Sequence, residues 1–224
     1  MTATPASTPK PLAPASRPVT GLVLAAGGSK RLGQPKQLLP YGPEPLLAHV
    51  LETARSCQFA QLVCVIGGSA AEIRQRIDFD GVTVIENDDF GEGCSSSIAA
   101  ALAAVDPRSE GLVVLLGDQP GVSTATVAAL IAGSGDAPLA ACGYEDGHGH
   151  PLLLARSMFG ELAELHGDKG VWELLDRHAE DVIDVPVPGR IPLDVDTWED
   201  YRAVLTALGS ENGPHHPRRV GHEL

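Results

Sequence analysis

The chain has 224 residues, 43% of them hydrophobic and 20% charged, with a net charge of −13. That composition suits one globular α/β domain. The acidity argues against non-specific nucleic-acid binding, which depends on neutralising phosphates with Lys and Arg. No apolar run approaches the ~18 residues of a membrane span.

Residues 1–18 contain five prolines among Ala, Ser and Thr. They offer too few large apolar groups to fold alone, and a disordered tail is expected there. The same prolines interrupt any signal-type apolar core, so the expected location is the cytoplasm. Cys57, Cys64, Cys94 and Cys142 are scattered without a Cys-x-x-Cys pair, which indicates neither a zinc ribbon nor a disulfide framework.

Gly21 to Ala26 is a short apolar run that predicts a strand buried on both faces. In the loop that follows, Gly27, Gly28 and Gly33 let the backbone turn and approach a ligand closely. Ser29, Lys30, Arg31 and Lys36 surround it with donors and positive charge, a combination suited to polyphosphate. The loop is not a Walker A motif, because Gln34-Pro35 stand where Lys-Ser/Thr is needed. Nor do its glycines match a dinucleotide fingerprint, and Pro35 and Pro40 oppose an immediate long helix.

Leu46, Leu47, Val50, Leu51 and Ala54 recur at helical spacing over about 13 residues. Gln61 to Ile66 predicts a second strand, Ser69 with Glu72 a capping box for the next helix, and Val82 to Ile85 a third strand. The small-residue loop 87–97 runs into an alanine-rich helix. Leu112 to Leu116 is another apolar strand, followed by a helix capped by Ser123. Strands alternating with helices imply a three-layer α/β/α arrangement on a mostly parallel, Rossmann-like sheet. From Pro138 to Ala155 two strands around a turn predict a small antiparallel element beside it. Helices opening at Ser157 and over Lys169 to His178 follow, then a strand over Asp181 to Val187. Thr197 and Asp200 cap a last helix. The polar segment 209–224 is expected to be a disordered tail, leaving 19–208 as the folded domain.

In an open α/β sheet, ligands gather at the carboxyl ends of the strands. The loop after the first strand and Gly117-Asp118-Gln119-Pro120 after the fourth both lie at such ends. Asp118 follows an apolar run and offers an oxygen ligand to a hard cation such as Mg²⁺, or a cap to a turn. A second ligand is expected from Asp194 or Asp196, which alternation places on one face of an extended segment. Asp196 is favoured as the nearer to the helix start.

The stretch LAAGGSKRLGQPKQLLP resembles the opening signature of the nucleotidyltransferases of GT-A-like fold. It is most similar to the MobA-like branch that includes molybdenum cofactor cytidylyltransferase. The loop GEGCSSS, GDQP, Gly149-His150-Pro151, GDKG and PLDVDTWED resemble that family's later motifs in order, with Trp198 in place of a proline. The resemblance spans roughly residues 19–207 and implies roles for the matching positions. Leu24, Ala25, Ala26, Gly27, Gly28, Ser29, Arg31 and Lys36 would hold the nucleotide, with Ser95, Ser96, Ser97 and Asp118. Lys36, Arg31 and Asp118 would carry the catalytic charge, and Asp118 with Asp196 or Asp194 would hold Mg²⁺. Gln119, Pro120, Gly149, His150, Pro151 and Asp168 would face the acceptor.

The implied reaction passes CMP from CTP to a phosphorylated acceptor, with pyrophosphate released. LAAG resembles the cytidylyl branch, whereas guanylyl-transferring relatives usually read LAGG. A molybdopterin-type acceptor and a molybdenum hydroxylase client follow from the same resemblance. A sugar phosphate acceptor, or NAD(P)H-dependent oxidoreductase chemistry, is the alternative on this scaffold.

Overall fold

A computed structural model of the chain describes residues 17–167 and 170–211. In chain order its elements begin with β1 (Thr20–Ala25), the short pair β2 (Pro40–Tyr41) and β3 (Glu44–Pro45), α1 (Leu46–Ser56), β4 (Gln61–Ile66), α2 (Ala70–Arg76) and β5 (Thr83–Glu86). Next come α3 (Cys94–Leu102), β6 (Gly111–Leu116), α4 (Thr124–Gly133), β7 (Leu139–Tyr144) and β8 (Gly147–Ala155). The last are α5 (Phe159–Ala163), α6 (Val171–Arg177), β9 (Val182–Pro186) and α7 (Trp198–Glu211).

Seven strands form one sheet in the order β5-β4-β1-β6-β8-β7-β9. β1 lies between β4 and β6 and pairs in parallel with both. Its apolar run is continuous because both of its faces are covered. Val23 and Ala25 pack with Leu47, Val50 and Leu51 of α1, Ile73 of α2 and Leu130 of α4. Leu22 packs on the other face with Ile98 of α3, Leu162 of α5 and Leu174 of α6. The fold is thus a three-layer α/β/α sandwich on a mostly parallel sheet. Fully buried leucines such as Leu22, Leu112 and Leu115 each stabilise it by about 1.5–3 kcal/mol.

A third cluster ties the amino-terminal loop to the end of the chain. Leu32, Leu39, Tyr41 and Leu46 pack with Val195 and with Val204 of α7. Tyr201 reinforces this contact by donating its hydroxyl to the Pro40 carbonyl. The last helix therefore buttresses the glycine loop, although more than 150 residues separate them in sequence.

Several elements differ from the sequence expectation. The hairpin is not beside the parallel sheet but inside it: β8 runs antiparallel to β6, and β7 pairs in parallel with β9. β2 and β3 were not anticipated, since two-residue strands carry no periodicity. Ser69 precedes α2 but makes no side-chain cap bond; its backbone is not extended there, unlike that of Ser123, which accepts from Thr126 N at 3.1 Å. Helix α3 begins at Cys94, so the three serines lie in its first turn rather than in a loop.

Most of both expected tails lies outside the described residues. At their inner ends Arg17 donates to Ser134 Oγ (2.9 Å) and the Pro18 carbonyl accepts from Glu110 N (2.8 Å). Residues 209–211 continue α7. No helix among the described residues is long and apolar enough to cross a membrane.

Candidate active site

A cavity of about 580 Å³ opens at the carboxyl ends of β1 and β6. Its walls are residues Leu24–Arg31 at the end of β1 and in the glycine loop, Lys36 and Gln37 of the following turn, and Leu116–Asp118. Phe90, Cys94 and Ser97 close one side, and Asp194 and Asp196 another.

The glycine loop is built to stay open. Ser29 sits in the left-handed region at φ 48°, and Gly33 at φ 70°. Ser29 is held there by the chain itself: its carbonyl accepts from the N–H groups of Leu32 and Gly33, and its hydroxyl accepts from Lys36 N at 2.9 Å. A 3₁₀ turn over Lys36–Leu38 then sets two adjacent side chains in opposite duties. Lys36 reaches across the cavity, and Gln37 reaches back under the loop.

Lys36 Nζ donates to Asp118 Oδ2 and, at 2.8 Å, to Asp196 Oδ1. Arg31 Nη1 lies 3.5 Å from the other oxygen of Asp196. Burial works to lower the Lys36 pKa, but the charge and hydrogen bond of Asp118, aided by Asp196, outweigh it and hold the ammonium above its ordinary value. The Asp194 pKa also rises, which for a carboxylate disfavours the charge: burial, then the Asp118 charge, lift it to about 6, against a hydrogen bond with Gln119.

The spacing of the two late aspartates has a packing origin. Val195 between them is fully buried in the third cluster, and its N–H donates to the Asp118 carbonyl at 3.2 Å. Both flanking carboxylates therefore line the cavity, as alternation requires. Asp200 closes the arrangement by accepting from Thr197 N (2.8 Å) and Asp196 N (3.3 Å), while its own N–H donates to Thr197 Oγ1. That is the capping box expected from the sequence.

The structure thus brings together Leu24 to Arg31, Lys36, Ser97, Asp118, Asp194 and Asp196. Ser95 and Ser96 stand off the wall. Ser95 gives both its hydroxyl and its N–H to the Gly167 carbonyl, and Ser96 gives its hydroxyl to the Asp89 and Gly93 carbonyls. Asn87 donates to the hydroxyls of Ser96 and Ser97 and so fixes the turn.

Gln119 and Pro120 are buried behind the wall, with Gln119 Nε2 on the Pro192 carbonyl. Gly149, His150 and Pro151 lie on β8 and line no part of the cavity. The register pairs Leu152 with Val114, which sets them beside the carboxyl end of β6. His150 packs edge-on against Trp172, at 5.5 Å between ring centroids, and burial lowers its pKa to about 4. Asp168 is outside the described residues.

Two wall residues escaped the sequence reading. Phe90 packs where three glycines leave room: a Cβ on Gly68 would lie 2.7 Å from its ring, one on Gly67 2.9 Å from its Cβ, and one on Gly28 3.2 Å away. The Gly67-Gly68 pair at a strand's carboxyl end was the available signal. Gln37 had none, since a glutamine beside a lysine looks like any exposed pair, yet it is only 2% exposed.

Two facing carboxylates, one after the end of β6 and one just before α7, already converge on one cation, the Lys36 ammonium. An all-oxygen set of this kind fits a hard divalent ion, which commonly takes one or two carboxylates and completes its shell with phosphate oxygens and water. No group of three or more His, Cys, Asp or Glu forms a self-sufficient cage among the described residues.

A glycine loop, a lysine and paired aspartates at the carboxyl edge of this sheet define the nucleotidyltransferase class. The MobA-like NTP transferase domain matches residues 21–182, and the chain belongs to that family. It is 32% identical over 161 residues to the nicotine blue oxidoreductase of Paenarthrobacter nicotinovorans, covering 68% of this chain and 78% of the relative. The crystal structure of the Rv0371c homologue from Mycobacterium sp. strain JC1 superposes with a TM-score of 0.82 at 50% identity, over 86% of this chain and 98% of that one. Rv0371c of Mycobacterium tuberculosis H37Rv in complex with manganese gives 0.75 at 44%, over 85% and 99%.

Proposed function

We propose that the chain transfers CMP from CTP to a phosphorylated acceptor, with molybdenum-bearing molybdopterin as the acceptor class, and releases pyrophosphate. The observation that supports this reading is the convergence of the glycine loop, Lys36, Asp118 and Asp196 on one cavity. The terminal phosphate of the acceptor attacks the α-phosphorus of CTP, one P–O bond forms, and the bond to the β-phosphate oxygen breaks. A phosphate nucleophile is already ionised at neutral pH, so no strong general base is required.

The loop and Lys36 hold the triphosphate, and Arg31 and Lys36 offset charge on the leaving pyrophosphate. Asp118 and Asp196, with Asp194 beside them, would hold Mg²⁺ or a similar ion; the manganese complex of the 44% identical relative supports a divalent cation here. Such an ion would supply positive charge to offset that of the phosphates. Lys36 must then leave the carboxylates for the phosphates.

The test is a screen of CTP, GTP, ATP and NADPH by thermal shift and by pyrophosphate release, each with and without the metal. A metal-dependent preference for CTP, with pyrophosphate released only when acceptor is added, is expected. The relative named as an oxidoreductase favours a second reading, NAD(P)H-dependent reduction. Oxidation of NADPH without pyrophosphate release would select it.

A further inference from the structure

We propose that Gln37 is a positioning residue that presets the glycine loop for phosphate by fixing the direction of two of its peptide groups. This rests on the nucleotide-binding reading above and adds to it the residue that shapes the anion cradle.

Gln37 is buried at 2% exposure in the 3₁₀ turn next to Lys36. Its Nε2 donates to the Ala25 carbonyl at 2.7 Å and to the Gly27 carbonyl at 3.0 Å. Ala25 ends β1 and Gly27 lies in the loop, so one side-chain amide clamps the chain on both sides of Ala26. Both of these peptide bonds are trans. In a planar trans peptide the next N–H points opposite to the carbonyl. Holding the carbonyls of Ala25 and Gly27 toward Gln37 therefore turns the N–H groups of Ala26 and Gly28 away from it. Ala26 and Gly28 both line the cavity, and neither N–H is given to another backbone carbonyl among the described residues.

Two N–H groups on alternate residues, aimed the same way in a loop carrying Arg31 and Lys36, offer paired donors to an anionic oxygen. The other end of the Gln37 amide fits a role outside packing. Its Oε1 is buried with no hydrogen-bond partner. That unpaired acceptor is unfavourable, and it is offset by the two hydrogen bonds that the same amide donates. What Gln37 supplies, and an apolar side chain of equal size does not, is a two-proton donor facing two carbonyls. The arrangement predicts that phosphate binding depends on it, beyond what its hydrogen bonds contribute to stability.

The experiment compares wild-type protein with Gln37→Met, which keeps the volume and removes the donors, and Gln37→Glu, which sets an oxygen against the two carbonyls. Tripolyphosphate, CTP with Mg²⁺, and cytidine are titrated calorimetrically, and melting temperature is followed. For Gln37→Met the expected result is a chain that still folds, with a melting temperature somewhat below wild type because the Ala25 and Gly27 carbonyls lose their donor, with tripolyphosphate and CTP affinities reduced about tenfold or more and cytidine binding unchanged. Gln37→Glu should be the weaker binder of the two.

In wild-type protein the Gly28 amide resonance should move on addition of tripolyphosphate, a measurement that does not require any variant to fold. Wild-type affinity in folded Gln37→Met, or a stationary Gly28 resonance when tripolyphosphate binds, would overturn the proposal and leave nucleotide binding intact. Failure of wild-type protein to bind tripolyphosphate or CTP would overturn both.

Discussion

Lys36 sits between two carboxylates, and its charge is what allows Asp118 and Asp196 to stand so close together. Removing that charge should therefore have opposite effects on two ligands. In Lys36→Met the carboxylates lose their internal counter-ion, so Mn²⁺ without nucleotide should bind more tightly, by about tenfold. CTP should bind less tightly, because the flexible cation that meets its phosphates is gone. Titration by electron paramagnetic resonance reads the first effect and calorimetry the second. Mn²⁺ affinity that is unchanged or weaker in the variant would mean that Lys36 and the metal do not compete for these oxygens. The pairing was not legible in the sequence. Lys36 was visible as a charge of the glycine loop and Asp118 as one at a strand end, but sequence spacing does not show that the lysine points at the aspartate.

At the scale of elements, two serines that look alike in sequence differ in the fold. Ser123 accepts from Thr126 N and caps α4, whereas Ser69 makes no such bond at α2. Ser123→Ala should cost about 1 kcal/mol of stability, and Ser69→Ala only a few tenths. Chemical denaturation of both variants checks this, and equal losses would contradict the difference in capping. His150 on β8 gives a second prediction. Burial against Trp172 of α6 holds its pKa near 4, below the unfolded value of about 6.5.

As pH falls below 6.5 the unfolded chain takes up this proton first. The stability that neutral His150 contributes is therefore full above that pH and lost as pH falls toward 4, by roughly 3 kcal/mol. Asp194, raised to about 6, acts oppositely: as pH falls through 6 it favours the fold. Comparison with His150→Gln isolates the histidine, and the variant should show a shallower loss between pH 6.5 and 4. Identical pH slopes would contradict the assignment.

For the molecule as a whole, most strands and helices were legible because burial on both faces leaves uninterrupted apolar runs, as in Gly21–Ala26 and Leu112–Leu116. Two-residue strands such as β2 and β3 are too short to show a period, and the place of the hairpin within the sheet is a tertiary choice that local pattern does not encode. The same division holds for the site. The loop, Asp118 and the Asp194–Asp196 pair were visible from strand ends and alternation, while Gln37 and Phe90 are recruited through contacts remote in sequence or through burial no local signal marks. The fold brings residues 24–31, 36–37 and 116–118, with Asp194 and Asp196, to one edge, and the central claim is that this edge carries out metal-dependent nucleotidyl transfer.

Pyrophosphate release from CTP and molybdenum-bearing molybdopterin, followed across a Mg²⁺ titration in wild type and Asp118→Asn with folding checked by circular dichroism, tests it most directly. Wild-type release should require both acceptor and metal, and the variant should be slower by about 10²-fold or more. Near-normal release by folded Asp118→Asn, or no release by wild type under any of these conditions, would contradict the account.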